Sequence, residues 1–307
     1  MNTTQFVEIA VCLGGLLMNK LSFLHTHYLP KKLLDEVTIE ISVVAIEMYP
    51  DLLMNYYGDY SIFGSLEECI SWHSGKYEGN TIKYTIENIA ALKNPRSLKK
   101  AKQLGLEMVQ LFHSKTNSFY DVEKGLTEEG YHLLHEMLEN DLILDLSHLD
   151  DNGIRHVIDS YSGRVIVSHC VCRDIIETIH PRTNAISEET IKRLSDRGCL
   201  FGIPFVNDLV SKISHDTYED DNSIINDIVS QIVFFVNCAG VENVSLGPDF
   251  MDMKHFSKVF GQNIRIPDSL YEAAGYDKLV SALKKNNMSD NDIMLIMNEN
   301  VKHIFEI

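Results

Sequence analysis

Thirteen histidines are spread along this 307-residue chain, and several of them close short apolar runs. His25 and His27 end the first run, Glu87 the third, His113, His148 and His169 the next three, and Asp249 sits at the end of the last. Neutral imidazole and carboxylate are the ligands expected of zinc, or of a pair of zinc ions bridged by a carboxylate. Side chains two apart on a strand project to the same face, so His25 and His27 can reach one site. His148 and His169 are 21 residues apart, about the length of a turn, a three-turn helix, a return loop and a strand. Taken singly, each has a plainer reading as a hydrogen-bonded core or rim group. Their shared position at strand ends is what points to one site.

Other titratable groups carry less. His132 and His135 fall three apart inside an amphipathic segment, which reads as a partly solvated helix face. His73, His156, His180, His215, His255 and His303 lie in helices or loops and are left unassigned. Cys170 and Cys172 flank His169; a Cys-x-Cys ligand pair is one reading, and packed thiols under the site are the favoured one. The acidic run Asp216 to Asp221 lacks the ligand spacing and turn glycine of a calcium loop and reads as solvated.

The elements that must position these groups alternate between β-rich runs and longer amphipathic segments. Strands are predicted at Leu21 to Thr26, Thr38 to Met48, Thr81 to Glu87, Met108 to His113, Leu142 to His148, Arg164 to His169, Leu200 to Val206 and Val244 to Phe250. Several are almost wholly apolar, as parallel strands buried on both faces are. Helices are predicted at Pro95 to Leu104, Thr127 to Glu139, Asp150 to Ser160, Ser187 to Arg197, Ser223 to Val236 and about Ser289 to Phe305. Thr127 and Ser187 precede acidic first-turn residues, which suits the helix dipole. Eightfold alternation of this kind is the signature of a (β/α)₈ (TIM) barrel, with an open doubly wound sheet as runner-up. No Gly-x-Gly-x-x-Gly follows a predicted strand, which weakens the dinucleotide-binding form of that runner-up. In a barrel the C-terminal strand ends converge on one mouth, so the seven groups become neighbours.

Length and composition agree. A chain with 45% hydrophobic and 23% charged residues can bury a large core. No repeat, linker or low-complexity stretch marks a boundary, so one barrel domain over residues 1–307 is expected. The net charge of −17 without a basic cluster argues against nucleic-acid and membrane-surface partners. Val7 to Met18 is apolar, yet no Lys or Arg precedes it, Glu8 interrupts it and no small-x-small cleavage site follows. It is also shorter than the roughly 20 residues needed to span a bilayer. Six cysteines in mostly apolar surroundings read as reduced thiols, so a cytoplasmic protein is expected.

Three motifs carry a resemblance. Leu144-Asp145-Leu146-Ser147-His148, Val165-Ile166-Val167-Ser168-His169 and His180-Pro181-Arg182-Thr183-Asn184 closely resemble the renal or membrane dipeptidase family of zinc-dependent (β/α)₈ hydrolases. Gly125-Leu126-Thr127 with Gly130, Leu246-Gly247-Pro248-Asp249-Phe250, and Asn300 with the helix that follows extend the match. The resemblance implies two zinc ions. His148 and His169 match the ligands of one, Glu87 the bridging carboxylate and His25 the first ligand of the other. His113 matches a histidine on the substrate carbonyl, Arg182 the clamp on the dipeptide's carboxylate, and Asp249 the acid/base. A homodimer is implied by the resemblance alone.

The chain departs from the family pattern in places. His25-Thr26-His27 replaces His-x-Asp, with His27 standing in the carboxylate's place as a candidate ligand; Asn88 replaces a glycine; and the loop from His169 to Arg182 is about two residues longer than the usual pattern. The expected function is zinc-dependent hydrolysis of the peptide bond of dipeptides by a metal-activated water. Two alternatives stand beside it: an amidohydrolase-like enzyme for another small amide, lactam or modified peptide, and a catalytically silent relative that binds peptide.

Overall fold

Short runs rich in Val, Ile and Leu pair side by side in parallel, as residues buried on both faces do. The computed structural model describes residues 20–49, 52–55, 61–63, 70, 81–89, 98–113, 117–176, 184–210, 220–251 and 264–306. Within these, eight parallel strands run in chain order around a barrel: β1 (Lys20–Thr26), β2 (Thr38–Tyr49), β3 (Thr81–Asn88), β4 (Leu106–Gln110), β5 (Ile143–Asp145), β6 (Val165–Val167), β7 (Leu200–Ile203) and β8 (Val244–Leu246). Two backbone hydrogen bonds join β8 to β1 beyond the ladders, from Asp249 N to His25 O (3.2 Å) and from His27 N to Phe250 O (3.1 Å). An antiparallel hairpin, Leu52–Asn55 with Ser61–Phe63, extends the sheet from the far end of β2. The sequence periodicity does not foretell it.

The helices are α1 (Lys31–Glu36), α2 (Leu98–Gln103), α3 (Glu128–Glu139), α4 (Asp151–Ile158), α5 (Glu188–Ser195), α6 (Asn207–Val210), α7 (Asp221–Ala239) and α8 (Ala273–Lys285). Thr127, Asp150, Ser187 and Asp220 cap α3, α4, α5 and α7, each side chain accepting a backbone N–H of the first turn. The end of the acidic run is therefore a helix start rather than a loop; Asp216 to Glu219 lie outside the described residues. Short α1, α6 and the longer α8 are additions to the predicted set.

Side chains divide into two packed layers. Outward strand residues such as Phe23, Val109, Leu144, Val167 and Phe201 pack with the helices. Inward ones, Leu24, Ile41, Val43, Met108, Ile143, Ile166 and Leu200, fill the barrel with Val301 from the C-terminal helix beneath them. The interior is a packed core, not a pore.

That C-terminal segment is not one continuous α-helix. α9 (Asp290–Met294) passes through a π-helical turn at Leu295–Glu299 into α10 (Asn300–Ile304). Asn298 in the turn accepts the buried Ser22 hydroxyl (2.6 Å) and donates to Glu40 (2.6 Å). Asn300 donates to the carbonyls of Val241 and Val244 at the start of β8. The segment thus plugs the N-terminal end of the barrel and leaves the other end for chemistry.

Burial would raise the Glu40 carboxyl, but hydrogen bonds from Lys20, Asn298 and Lys302 bring it from 4.5 down to about 2. A carboxyl depressed in the fold contributes stability above its unfolded value and loses it as pH falls toward its folded value. Glu40→Gln is therefore expected to lower the Tm at pH 7, with the gap to the parent narrowing from pH 4.5 to pH 3. Thermal melts followed by circular dichroism check this; an unchanged gap at pH 3 would count against the charge.

Candidate active site

The ladders of β4 to β8 end several residues earlier than the apolar runs predict. His113, His148, His169 and Asp249 lie just past those ends, where the chain is free to turn into the mouth. His148 (φ 68°) and Asp249 (φ 56°) hold left-handed backbone that is uncommon for residues other than glycine. Such strain persists where the surroundings over-determine it. β1 achieves the same end by irregularity. A register shift between Phe23 and Thr26 inserts one residue in β1 against β2, so Leu24 enters the interior cluster and His25, the next residue, also turns inward.

Glu87 stands at the centre, 3% exposed. Its Oε2 faces His27 Nε2 (3.2 Å) and His25 Nε2 (3.9 Å), and its Oε1 faces His148 Nε2 (3.5 Å), His169 Nε2 (3.9 Å) and His113 Nε2 (3.8 Å). Asp249 Oδ1 lies beside the two histidines of that first group, 3.1 Å from His27 Nε2 and 3.6 Å from His25 Nε2. His148 and His169 present their Nε2 atoms 3.0 Å apart. His25 and His169 are buried, whereas the His113 side chain is 28% exposed, so the site opens on the His113 side.

These residues fit divalent metal. Donors around a tetrahedral ion bound at about 2.0–2.1 Å stand about 3.3 Å from one another, and the two sets here have separations of 3.0–3.9 Å. His25 Nε2, Glu87 Oε2 and Asp249 Oδ1 are buried polar atoms without a hydrogen bond. Convergent orphaned acceptors would be costly unless something bound them. The first set is His25, His27 and Glu87, with Asp249 beside the two histidines; the second is Glu87, His148 and His169, with one oxygen of Glu87 for each.

The charge states suit ligation. Burial, reinforced by His25 and His148, pushes the His169 imidazole well below its ordinary range. Burial also lowers His25 against the pull of Glu87 and Asp249, and it brings His113 to about 4 with help from His148. Burial alone would raise Glu87, yet the histidines around it, His27 foremost, hold it well below the usual carboxylate range. Imidazoles whose pKa is lowered at His25, His113 and His169, beside an ionised Glu87, suit binding of a dication.

The structure brings His25, His27, Glu87, His113, His148, His169 and Asp249 together, while Arg182 lies outside the described residues, as do His180 and Pro181. Cys170 and Cys172 are free, buried thiols, and burial pushes Cys170 far up and Cys172 to about 11, so they are packing groups. His132 and His135 lie on the exposed face of α3. Sequence reasoning missed three supporting residues. Gln110 clamps the ends of β3 and β4 by donating to the carbonyls of Glu87 (2.7 Å) and Phe112 (2.9 Å). Asp145 and Ser168 lie beneath the histidines, both fully buried. A charged residue inside the apolar run Leu142 to Leu146 was the available signal for Asp145.

Fold and site together define a (β/α)₈ barrel with divalent-metal donors gathered at its mouth. A family model described as membrane dipeptidase (peptidase family M19) matches residues 20–307, and the chain belongs to that family. Dipeptidase tcpJ of Claviceps purpurea is 25% identical over 206 residues, covering 65% of this chain and 44% of that protein. The chain spans about half the length of the curated relatives it matches. Among solved structures, an amidohydrolase from Pseudomonas aeruginosa superposes with a TM-score of 0.71 at 18% identity, covering 95% of this chain and 98% of that one. A metallopeptidase from Rhodobacter sphaeroides, liganded with a phosphinate mimic of the dipeptide L-Ala-D-Ala, has a TM-score of 0.60 at 18% identity, covering 79% and 67%. No helix among the described residues is long and apolar enough to cross a membrane.

If both donor sets depend on Glu87, a divalent transition metal at 100 times its Kd is expected to stabilise the metal-free protein by about 2.7 kcal/mol per site. Glu87→Gln is expected to remove more than half of the resulting rise in Tm. Differential scanning fluorimetry with and without metal measures it, and an undiminished rise would rule out the shared ligand.

Proposed function

We propose that the chain hydrolyses the peptide bond of dipeptides, with two zinc ions as cofactor. The observation that carries this reading is the division of Glu87, one oxygen toward His25 and His27 and the other toward His148 and His169. His25, His27 and Glu87 would hold one ion, and Glu87, His148 and His169 the other. When bound, the ions supply Lewis acidity toward water and toward the scissile carbonyl.

The remaining work falls to the chain's own groups. His113, neutral and at the open side, is placed to donate a hydrogen bond to the carbonyl oxygen as negative charge develops there. Asp249 acts as acid/base, taking a proton from the attacking water and delivering it to the leaving amine. Arg182 would fix the substrate's free carboxylate bidentately, which restricts the enzyme to short peptides; this role rests on the resemblance of its motif. The family match and the dipeptidase relative support the substrate class. Free thiols at Cys170, Cys172, Cys199 and Cys238 suit a reducing cytoplasm.

One feature favours a second reading. His27 puts neutral imidazole where the family pattern has a carboxylate, removing a negative charge from one donor set. Such a site could be tuned to another small amide, lactam or modified peptide, and activity on these with none on L-L or L-D dipeptides would favour it.

The zinc-loaded protein is expected to cleave a dipeptide panel. Asp249→Asn is expected to keep its metal and lose turnover by about 10²–10⁴-fold, the range of general acid–base catalysis. Metal content by atomic emission, paired with kcat, distinguishes the roles; turnover near the parent value would overturn the assignment to Asp249.

A further inference from the structure

Beneath the histidines a single carboxylate gathers four hydrogen bonds. Asp145 Oδ1 accepts from Ser147 N (3.0 Å), Ser147 Oγ (2.8 Å) and Ser168 N (3.0 Å), and Oδ2 accepts from Ser168 Oγ (2.5 Å). Four hydrogen bonds thus reach it, three on Oδ1 and one on Oδ2. Asp145 also lies within metal-holding distance of His25 and His169, but with its oxygens engaged it serves better as a support than as a ligand.

The hydroxyl of Ser168 has one proton, and Asp145 receives it. Ser147 Oγ, 3.2 Å away, gives its own proton to Asp145, so the lone pairs of Ser168 Oγ are left for His169 Nδ1 at 3.0 Å and His25 Nδ1 at 3.3 Å. A hydroxyl oxygen can accept twice, so two imidazole N–H groups satisfy it. Each ring must then carry its proton on Nδ1 and its lone pair on Nε2. Those Nε2 atoms face opposite oxygens of Glu87, His169 toward Oε1 and His25 toward Oε2.

We propose that Asp145 and Ser168 form a positioning pair that sets the Nδ1–H tautomer of one histidine in each donor set, preparing both halves of the site from one buried hydroxyl. This rests on the metal reading given above, but the tautomers can be observed without metal. The backbone at Ser168 is pinned independently. A Cβ at Gly202 or Gly247 would fall 1.8 or 2.0 Å from the Ser168 carbonyl oxygen, so these glycines pack directly against it. Changes to the hydroxyl or to Asp145 therefore act on proton placement with the chain path held.

Asp145→Asn is the informative variant. Its amide oxygen can still accept from the Ser147 and Ser168 amides, but its NH₂ must donate to Ser168 Oγ. The serine proton is then turned toward His25 or His169, driving that ring to Nε2–H, since Ser147 Oγ at 3.2 Å already accepts the His169 amide and is the weaker acceptor. Long-range ¹H–¹⁵N correlation on histidine-labelled, metal-free protein reads the tautomers, and competition with a chromophoric chelator reads zinc affinity. The expected result is Nδ1–H at both histidines in the parent. In Asp145→Asn at least one switches, with zinc affinity falling about 10–100-fold, the usual effect of losing an outer partner. Ser168→Ala, which deletes a single oxygen, is expected to weaken zinc at both sets and guards against a folding failure of the first variant. Unchanged tautomers and affinity within twofold of the parent in either folded variant would overturn the proposal, as would Nε2–H at either ring in the parent. A parent that shows both Nδ1–H tautomers yet binds no zinc would overturn the metal reading instead.

Discussion

A carboxylate buried inside a barrel is the constraint on which the upper half of this structure depends. Glu87 is almost wholly removed from water, and an isolated ionised carboxyl there would be strongly destabilising. Five histidine nitrogens within 3.9 Å offset that penalty in part, and Asp249 adds a second negative group at the same point. With burial lowering the pKa of His25, His113 and His169, the cluster of rings and carboxylates suits a cation among the donors. The strand ends that supply the rings and their irregular backbone follow from that demand.

The lower half solves a different problem. Inward-facing aliphatic side chains fill the barrel beneath the polar layer and exclude water from it. The C-terminal segment then plugs the base, and the π-helical turn lets Asn298 reach both Ser22 and Glu40. Between plug and mouth lies the Asp145 network, which converts a structural carboxylate into an orienting group for the rings above. Stability and chemistry are thus stacked along one axis, as is general for this architecture.

Much of this was legible in the residues. The eight β-rich runs matched the eight barrel strands because parallel strands buried on both faces carry no polar alternation and stand out in sequence. N-caps at Thr127 and Ser187 marked helix starts to within a residue. The strand ends were read too long at β4 to β8, because the apolar character continues past the last ladder bond into segments that pack while turning toward the mouth. The hairpin after β2 and the short helices escaped notice, since pieces of three to six residues have no period to detect.

Sequence by itself determined which residues could share a site: types able to bind metal, placed at the C-terminal ends of successive strands, in a fold that gathers such ends. It also determined the family, through contiguous motifs around His148 and His169. Only the tertiary structure decided how the donors divide. The bulge in β1 that turns His25 inward, the two faces of Glu87 and the serine hydroxyl shared by His25 and His169 join residues up to 143 positions apart. Spacing along a chain carries no information about which oxygen of a carboxylate faces which ring, because that is set by side-chain rotamers and by packing between strands distant in sequence.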